Sequence, residues 1–230
     1  MNLLRTYDEY PSEKNGTVFV WRTFPWSHWQ LGASGYGQTT DYTNAMWLEV
    51  TRDIARMKEK ADERLARVFI GGLGGAGHLP ILKKFFPNCH IEVAEHDPVI
   101  INVVEKYNLC PQAKNTDKDT SIKSSTKKDI EIIEGDMFEV LGNQVALGKK
   151  YDLLCIDIFT GEYPSNATVR QDSVALARSA LAPEGILVAN VFKNAEYLDP
   201  LATAFKHHKK VVFRANTLGI FWDHELERRT

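Results

Sequence analysis

The stretch VFIGGLGGAGHLP, Val68 to Pro80, decides the fold. Val68 to Gly71 is a short apolar run that ends in glycine and reads as a buried strand. The chain then turns through Gly71-Gly72-Leu73-Gly74-Gly75-Ala76-Gly77, and Leu79 to Phe86 carries an apolar stripe at helical spacing. A strand, a glycine turn and a helix in that order let the backbone approach a ligand beneath the free N–H groups of a helix N-terminus. Gly72, Gly74 and Gly77 match the G-x-G-x-x-G spacing of nucleotide-binding turns. The plainer alternative is a tight turn that packs helix on sheet with no ligand.

Downstream, strand and helix alternate. Strands are expected at Ile91–Glu95, Ile130–Glu134, Tyr151–Asp157 and Gly185–Phe192. Helices are expected at Val99–Tyr107, Asp136–Leu147, Gln171–Leu181 and Tyr197–Lys206, the last with His207 and His208 near its end. Val211–Ala215 and Leu218–Trp222 fit an antiparallel closing hairpin. Upstream, Asp41 or Thr43 can cap a helix whose Met46, Val50, Ile54 and Met57 recur at helical spacing. Before it, Thr17–Thr23 and His28–Leu31 read as strands of a small hairpin entered through Asn15-Gly16. The fold class is therefore α/β: a mostly parallel sheet with helices on both faces, an antiparallel closing hairpin and a short N-terminal β segment. The expected division is a β segment over 1–42 and a nucleoside-binding domain over 43–230. Lys114–Lys128, KNTDKDTSIKSSTKK, reads as a polar surface loop.

Composition narrows the class. The 230 residues are 43% hydrophobic and 25% charged, enough for a core without disulfides. A net charge of −2 gives no global attraction to nucleic acid or an anionic membrane. No apolar run approaches the roughly 18 residues of a membrane helix. Three scattered cysteines, Cys89, Cys110 and Cys155, suit a reducing cytosol and show no zinc spacing, so neither metal nor disulfide is expected.

Three acidic residues fall at expected strand tips. Glu95 ends the second strand, about 20 residues beyond the glycines, where a carboxylate can take ribose hydroxyls. Asp97 sits where the next helix needs a cap. Asp136 follows the third strand and Asp157 ends the fourth. Ligands of open α/β sheets lie outside the carboxyl ends of the strands, so Glu95, Asp136 and Asp157 all face the glycine turn. Gathering three carboxylates is costly unless a polyhydroxyl, amino or cationic ligand engages them, and a sulfonium nucleoside offers all of these. The competing assignment is a helix cap, which suits Asp136 better than Asp157.

These motifs together resemble the spermidine synthase-like branch of the class I AdoMet-dependent methyltransferase superfamily, over about Gln38 to Phe192. GYGQTTDYTNAMWLEV is similar to a family stretch through Gln38, Thr40, Trp47 and Glu49. VFIGGLGGAGHLP resembles the glycine motif, VAEHDPVI the ribose motif, IEGDMFEVL the adenine motif and YDLLCIDIFTGEYP the catalytic strand. The resemblance implies that Gly72, Gly74 and Gly75 line the tail of the nucleoside, with Gln38 touching it. It implies that Glu95 binds ribose, that Asp136 meets the adenine amino group with Met137 on the ring, and that Asp157 accepts a proton from an attacking amine. It also implies AdoMet or its decarboxylated form as co-substrate, a small-molecule acceptor such as an amine, and a homodimer through the N-terminal hairpin.

Two departures weigh on the reaction. Polyamine-making members carry a second carboxylate three residues after the proton acceptor, where this chain has Thr160. They also carry an Asp in the glycine motif that would repel the AdoMet carboxylate; this chain has Leu73, Gly74, Gly75 and Ala76. Both lean toward methyl transfer, with aminopropyl transfer or a non-catalytic nucleoside-binding module as alternatives. A nicotinamide dehydrogenase is disfavoured by the single nucleotide-binding half. Tyr163 and Asn190 are candidates for the acceptor pocket, with a packing or structural role as the equal alternative, and His78 could face the ligand. Trp21, Trp26 and Trp29 are expected to pack the hairpin, with an acceptor-side wall or a subunit contact as the alternative. Replacing Glu95 by Ala is expected to weaken cofactor binding and leave the fold intact.

Overall fold

The structure, a computed structural model, describes residues 6–33, 35–60, 65–110, 113–115, 129–160, 163–164 and 171–225. Most of the polar 114–128 loop therefore lies outside the described residues. The chain opens with β1 (Thr6–Ser12), β2 (Gly16–Arg22), β3 (Gln30–Ala33) and β4 (Tyr36–Gly37), followed by α1 (Asp41–Lys60). The alternating part runs β5 (Arg67–Gly71), α2 (His78–Phe85), β6 (His90–Glu95), α3 (Pro98–Lys106), β7 (Ala113–Asn115), β8 (Ile130–Glu134), α4 (Met137–Ala146) and β9 (Tyr151–Ile156). Then come two two-residue strands, β10 (Phe159–Thr160) and β11 (Tyr163–Pro164), and α5 (Gln171–Ala180). β12 (Leu181–Phe192), α6 (Asp199–Ala204), β13 (His207–Phe213) and β14 (Asn216–Trp222) close the chain.

One eight-stranded sheet, ordered β13-β14-β12-β9-β5-β6-β8-β7, carries the site. β7, β8, β6, β5, β9 and β12 run parallel, and β14 enters antiparallel to both β12 and β13. Side chains alternate across the pleat, so each central strand feeds two cores. Val68 and Ile70 of β5 join Met46, Val50 and Ile54 of α1 and Leu79 and Leu82 of α2 on one face. Phe69 between them joins Leu141 of α4, Ala177 of α5 and Leu201 of α6 on the other. Burial on both faces is why the central strands read as continuous apolar runs. No described helix is long and apolar enough to cross a membrane.

β1 to β4 form a separate antiparallel sheet, larger than the expected hairpin because β1 and β4 also pair. β1 is polar and exposed along most of its length, so its alternation gave no signal in the sequence. This sheet is tied to α3. Asp97 caps α3 by accepting from Val99 N at 2.9 Å, and its other oxygen takes the Ser12 hydroxyl at 2.5 Å and the Asn15 amide at 2.6 Å.

The expected helix over Tyr197–Lys206 is replaced by a 3-10 turn, Ala195–Leu198, and a six-residue α6. His207 and His208 therefore lie in β13, paired with Trp222 and Phe221, rather than at a helix end. The closing hairpin begins four residues earlier than the sequence suggests, and its turn is Arg214-Ala215. Pairing along β14 overrides the local helical pattern there.

Candidate active site

β5 sits where the strand order reverses. The chain leaves it toward β6 on one side, while β9 arrives on the other. That reversal opens a crevice at the carboxyl ends of the strands. The two strand tips nearly touch: Asp157 N donates to Gly71 O at 2.9 Å, and Gly72 N donates to Ala94 O at 2.9 Å. A Cβ on Gly72 would stand 2.2 Å from the Asp157 carbonyl oxygen, and Gly72 has φ +98°. Glycine is required there by both the contact and the conformation.

A cavity of about 80 Å³ opens over β5, β6 and β8, and Gln38, Gly72, Gly74, Glu95, Asp136, Met137 and Asp157 all line it. Seven of the eight residues expected at the site thus meet at one cleft. Glu95 is 4% exposed and is already engaged. Its Oε2 accepts from Leu73 N at 2.9 Å and its Oε1 from Asp97 N at 2.9 Å, with His96 Nδ1 at 3.1 Å. The hydrogen bond that His96 donates to Glu95 raises the His96 pKa above the ordinary imidazole value. Glu95 therefore fixes the glycine turn, and its loss would loosen the fold, contrary to the expectation for Glu95→Ala.

Asp136 caps α4, with Oδ1 accepting from Phe138 N at 2.8 Å and Glu139 N at 3.3 Å. The cap and a position on the cleft wall coexist. Met137 is 4% exposed and lies over β5, where a Cβ on Gly71 would collide with its sulfur. Asn15, carried in by the N-terminal sheet, also lines this cavity, a role that its sequence signature as a turn residue did not disclose.

A second cavity, about 280 Å³, adjoins the first across Gln38, Gly74, Asp157 and Ile158. Gly75, the eighth expected residue, lines this one, with its Cα pressed against Thr39. Tyr36, Tyr42, Trp47 and Phe192 supply aromatic wall. Asp157 is the only acidic residue on it among the described residues. The Asn190 amide donates to Asp157 Oδ1 at 2.8 Å, and the Trp47 indole also hydrogen-bonds the carboxylate. Behind Asn190, Asn216 donates to its carbonyl at 3.0 Å and the Tyr42 hydroxyl donates to Asn216 Oδ1 at 2.8 Å. Burial raises the Asp157 pKa above the ordinary carboxylate value, while Asn190 and Trp47 pull it back. Burial thereby makes this carboxylate a better proton acceptor than an exposed one.

The sequence signalled Asn190 and Trp47 as pocket or motif residues but not their bonds to Asp157. Tyr42 and Asn216 carried no signal, because their partners are remote in the chain. Glu49 is exposed on α1 and lines neither cavity. Trp26 is 79% exposed and does not pack the hairpin, whereas Trp21 stacks on Phe19 and Trp29 lies against the core. The side chains of Thr160 and Tyr163 lie outside the described residues. Cys155 is buried, and burial raises its thiol pKa, which makes it inert. At the opposite strand ends, His90, Glu92 and Glu131 bring their ligand atoms within 4.8 Å of one another, but Glu92 is already paired with Lys149 at 2.7 Å and Tyr151 at 2.6 Å.

No family model matches the chain. A polyamine aminopropyltransferase of Vibrio vulnificus (strain CMCP6) is 25% identical over 164 residues, which are 71% of this chain and 47% of that protein. The chain thus spans about half the length of the curated relative it matches. A probable spermidine synthase from Corynebacterium glutamicum ATCC 13032 superposes with a TM-score of 0.70 at 15% identity, over 95% of this chain and 80% of its own. Human methyltransferase-like protein 13, solved in complex with SAH, superposes with a TM-score of 0.63 at 18% identity, over 84% and 86% of the two chains. With the strand order and the glycine crevice, these likenesses give the chain a spermidine synthase-like fold of the class I AdoMet-dependent methyltransferase type.

Proposed function

We propose that the chain is a transferase that moves an alkyl group from a sulfonium nucleoside to a small amine, and that the group is aminopropyl, from decarboxylated AdoMet. The observation that carries this reading is the placement of Asp157, the only carboxylate shared by the glycine-turn cleft and the aromatic cavity among the described residues. Gly72 lets the tip of β9 pass against the glycine turn, Gly72 and Gly74 both line the cleft, and Glu95 holds their turn in shape. The departures in the glycine motif lean toward methyl transfer. The similarity to a polyamine aminopropyltransferase supports aminopropyl transfer better.

In this reading the glycine turn, Gln38 and Glu95 position the nucleoside, Asp136 and Met137 hold its base, and the aromatic cavity admits the amine. Asp157 takes a proton from the amine as the C–N bond forms and the C–S bond breaks, and the electron pair stays on sulfur as a neutral thioether. The residues supply orientation and one proton acceptor. Asn190 and Trp47 aim the carboxylate.

The test is turnover with AdoMet and with decarboxylated AdoMet in the presence of small amines. Methylthioadenosine as product supports the proposal; S-adenosylhomocysteine would replace aminopropyl by methyl transfer. Asp157→Asn should lose about 10²- to 10⁴-fold in turnover and keep nucleoside affinity. Unchanged turnover in Asp157→Asn would refute the role of Asp157. Methyl transfer is the second reading, favoured by the absence of any acidic side chain from Gly71 to Gly77, which leaves nothing in the turn to repel the AdoMet carboxylate.

A further inference from the structure

We infer that His78 reads the tail of the nucleoside, its imidazole accepting a hydrogen bond from the amino group that ends the chain on sulfur. This rests on the nucleoside reading above and deepens it. His78 is the first residue of α2, directly after the glycine turn, and lines the second cavity beside Gly74, Gly75 and Asp157. It is 5% exposed, and its Nε2 has no hydrogen-bond partner among the described residues. A buried nitrogen without a partner destabilises a fold and marks a place where a ligand atom can complete the bonding.

Its surroundings define that atom. Burial lowers the His78 pKa to about 4, so at neutral pH the imidazole is uncharged and does not repel a cation. Trp47 lies against it, with ring centroids 5.4 Å apart, and the same Trp47 holds Asp157. One indole thus sets the proton acceptor and the histidine on a common wall. Asp157 is assigned to the attacking amine, and no other described residue of this cavity is acidic. Gly75 lets Thr39 pack against the turn beside His78, since a Cβ there would stand 1.3 Å from Thr39 Oγ1. An amino group beside His78 finds a neutral acceptor in place of a carboxylate.

Titration calorimetry with three nucleosides tests this. AdoMet carries the amine beside a carboxylate, decarboxylated AdoMet carries the amine alone, and methylthioadenosine carries neither. In His78→Leu, affinity for the first two should fall about tenfold or more, as for loss of a charge-assisted hydrogen bond, with methylthioadenosine within about twofold of wild type. His78→Gln, which keeps an acceptor, should recover part of the loss. Equal losses for all three nucleosides would mean a packing role and overturn the inference. So would no loss for any, or a loss for AdoMet alone, which would point to its carboxylate. Nitrogen NMR of the unmodified protein gives a readout independent of any variant's folding: the His78 Nε2 resonance should move with decarboxylated AdoMet and not with methylthioadenosine, and a resonance unmoved by either tail overturns the proposal. Failure of the wild type to bind even methylthioadenosine would instead refute the nucleoside reading itself.

Discussion

Replacing Asn190 by Leu should move the titration of Asp157 rather than simply weaken the enzyme. Asn190 Nδ2 lies 2.8 Å from Asp157 Oδ1 and is one of two side chains that oppose the effect of burial on this carboxylate. A hydrogen bond to a charged group contributes about 1.5–3 kcal/mol, and one pKa unit corresponds to about 1.4 kcal/mol. Removing the bond should therefore raise the Asp157 pKa by about one to two units. Asp157 acts ionised, so the acid limb of the kcat/KM profile should shift to higher pH by that amount, with the alkaline limb unmoved. Stability should follow the same titration. The folded pKa of Asp157 lies above its ordinary value, so its contribution is complete below that value and is lost as pH rises through the folded pKa. Asn190→Leu extends that loss to higher pH, so the variant should be destabilised more at neutral than at acid pH. The double variant with Asp157→Asn should show no such pH dependence. An acid limb that stays in place, or moves down, would refute the assignment of Asp157 as the titrating base.

Glu95→Ala should lower both nucleoside affinity and stability, the latter by about 1–3 kcal/mol, because the buried Leu73 and Asp97 amides lose their acceptor; calorimetry and thermal melting check the pair, and an unchanged melt would show the turn holding itself. Gly72→Ala should cost more than about 2 kcal/mol and abolish nucleoside binding, since a Cβ would meet the Asp157 carbonyl at 2.2 Å and φ is +98°; a near-wild-type denaturation midpoint would contradict the close approach. Asn15→Ala should destabilise by about 1–3 kcal/mol and raise hydrogen exchange in β1 and β2, because it removes a buried donor from the Asp97 carboxylate; unaltered exchange there would show that the sheet is held by other contacts.

The fold and most of the cleft were legible in the sequence for one reason: the period of the pattern is local. Val68–Gly71, Ile91–Glu95, Ile130–Glu134 and Tyr151–Asp157 declare strands by composition and length, and glycines or carboxylates at their ends declare the crevice. Parallel order then carries Gly72, Glu95, Asp136 and Asp157 to one edge, whatever the rest of the chain does. Tertiary structure decided the second bond each residue makes. Glu95 is tied to Leu73 N, Asp157 to Asn190 and Trp47, and Asp97 to Ser12 and Asn15, each through partners that no sequence spacing relates. β1 and the first four residues of β13, His207–Lys210, escaped for a kindred reason: their pairing partners, not their own residues, make them strands. Hydrophobic periodicity is a property of a segment and can be read along it. A hydrogen bond between segments exists only once the chain has folded and the two ends have met.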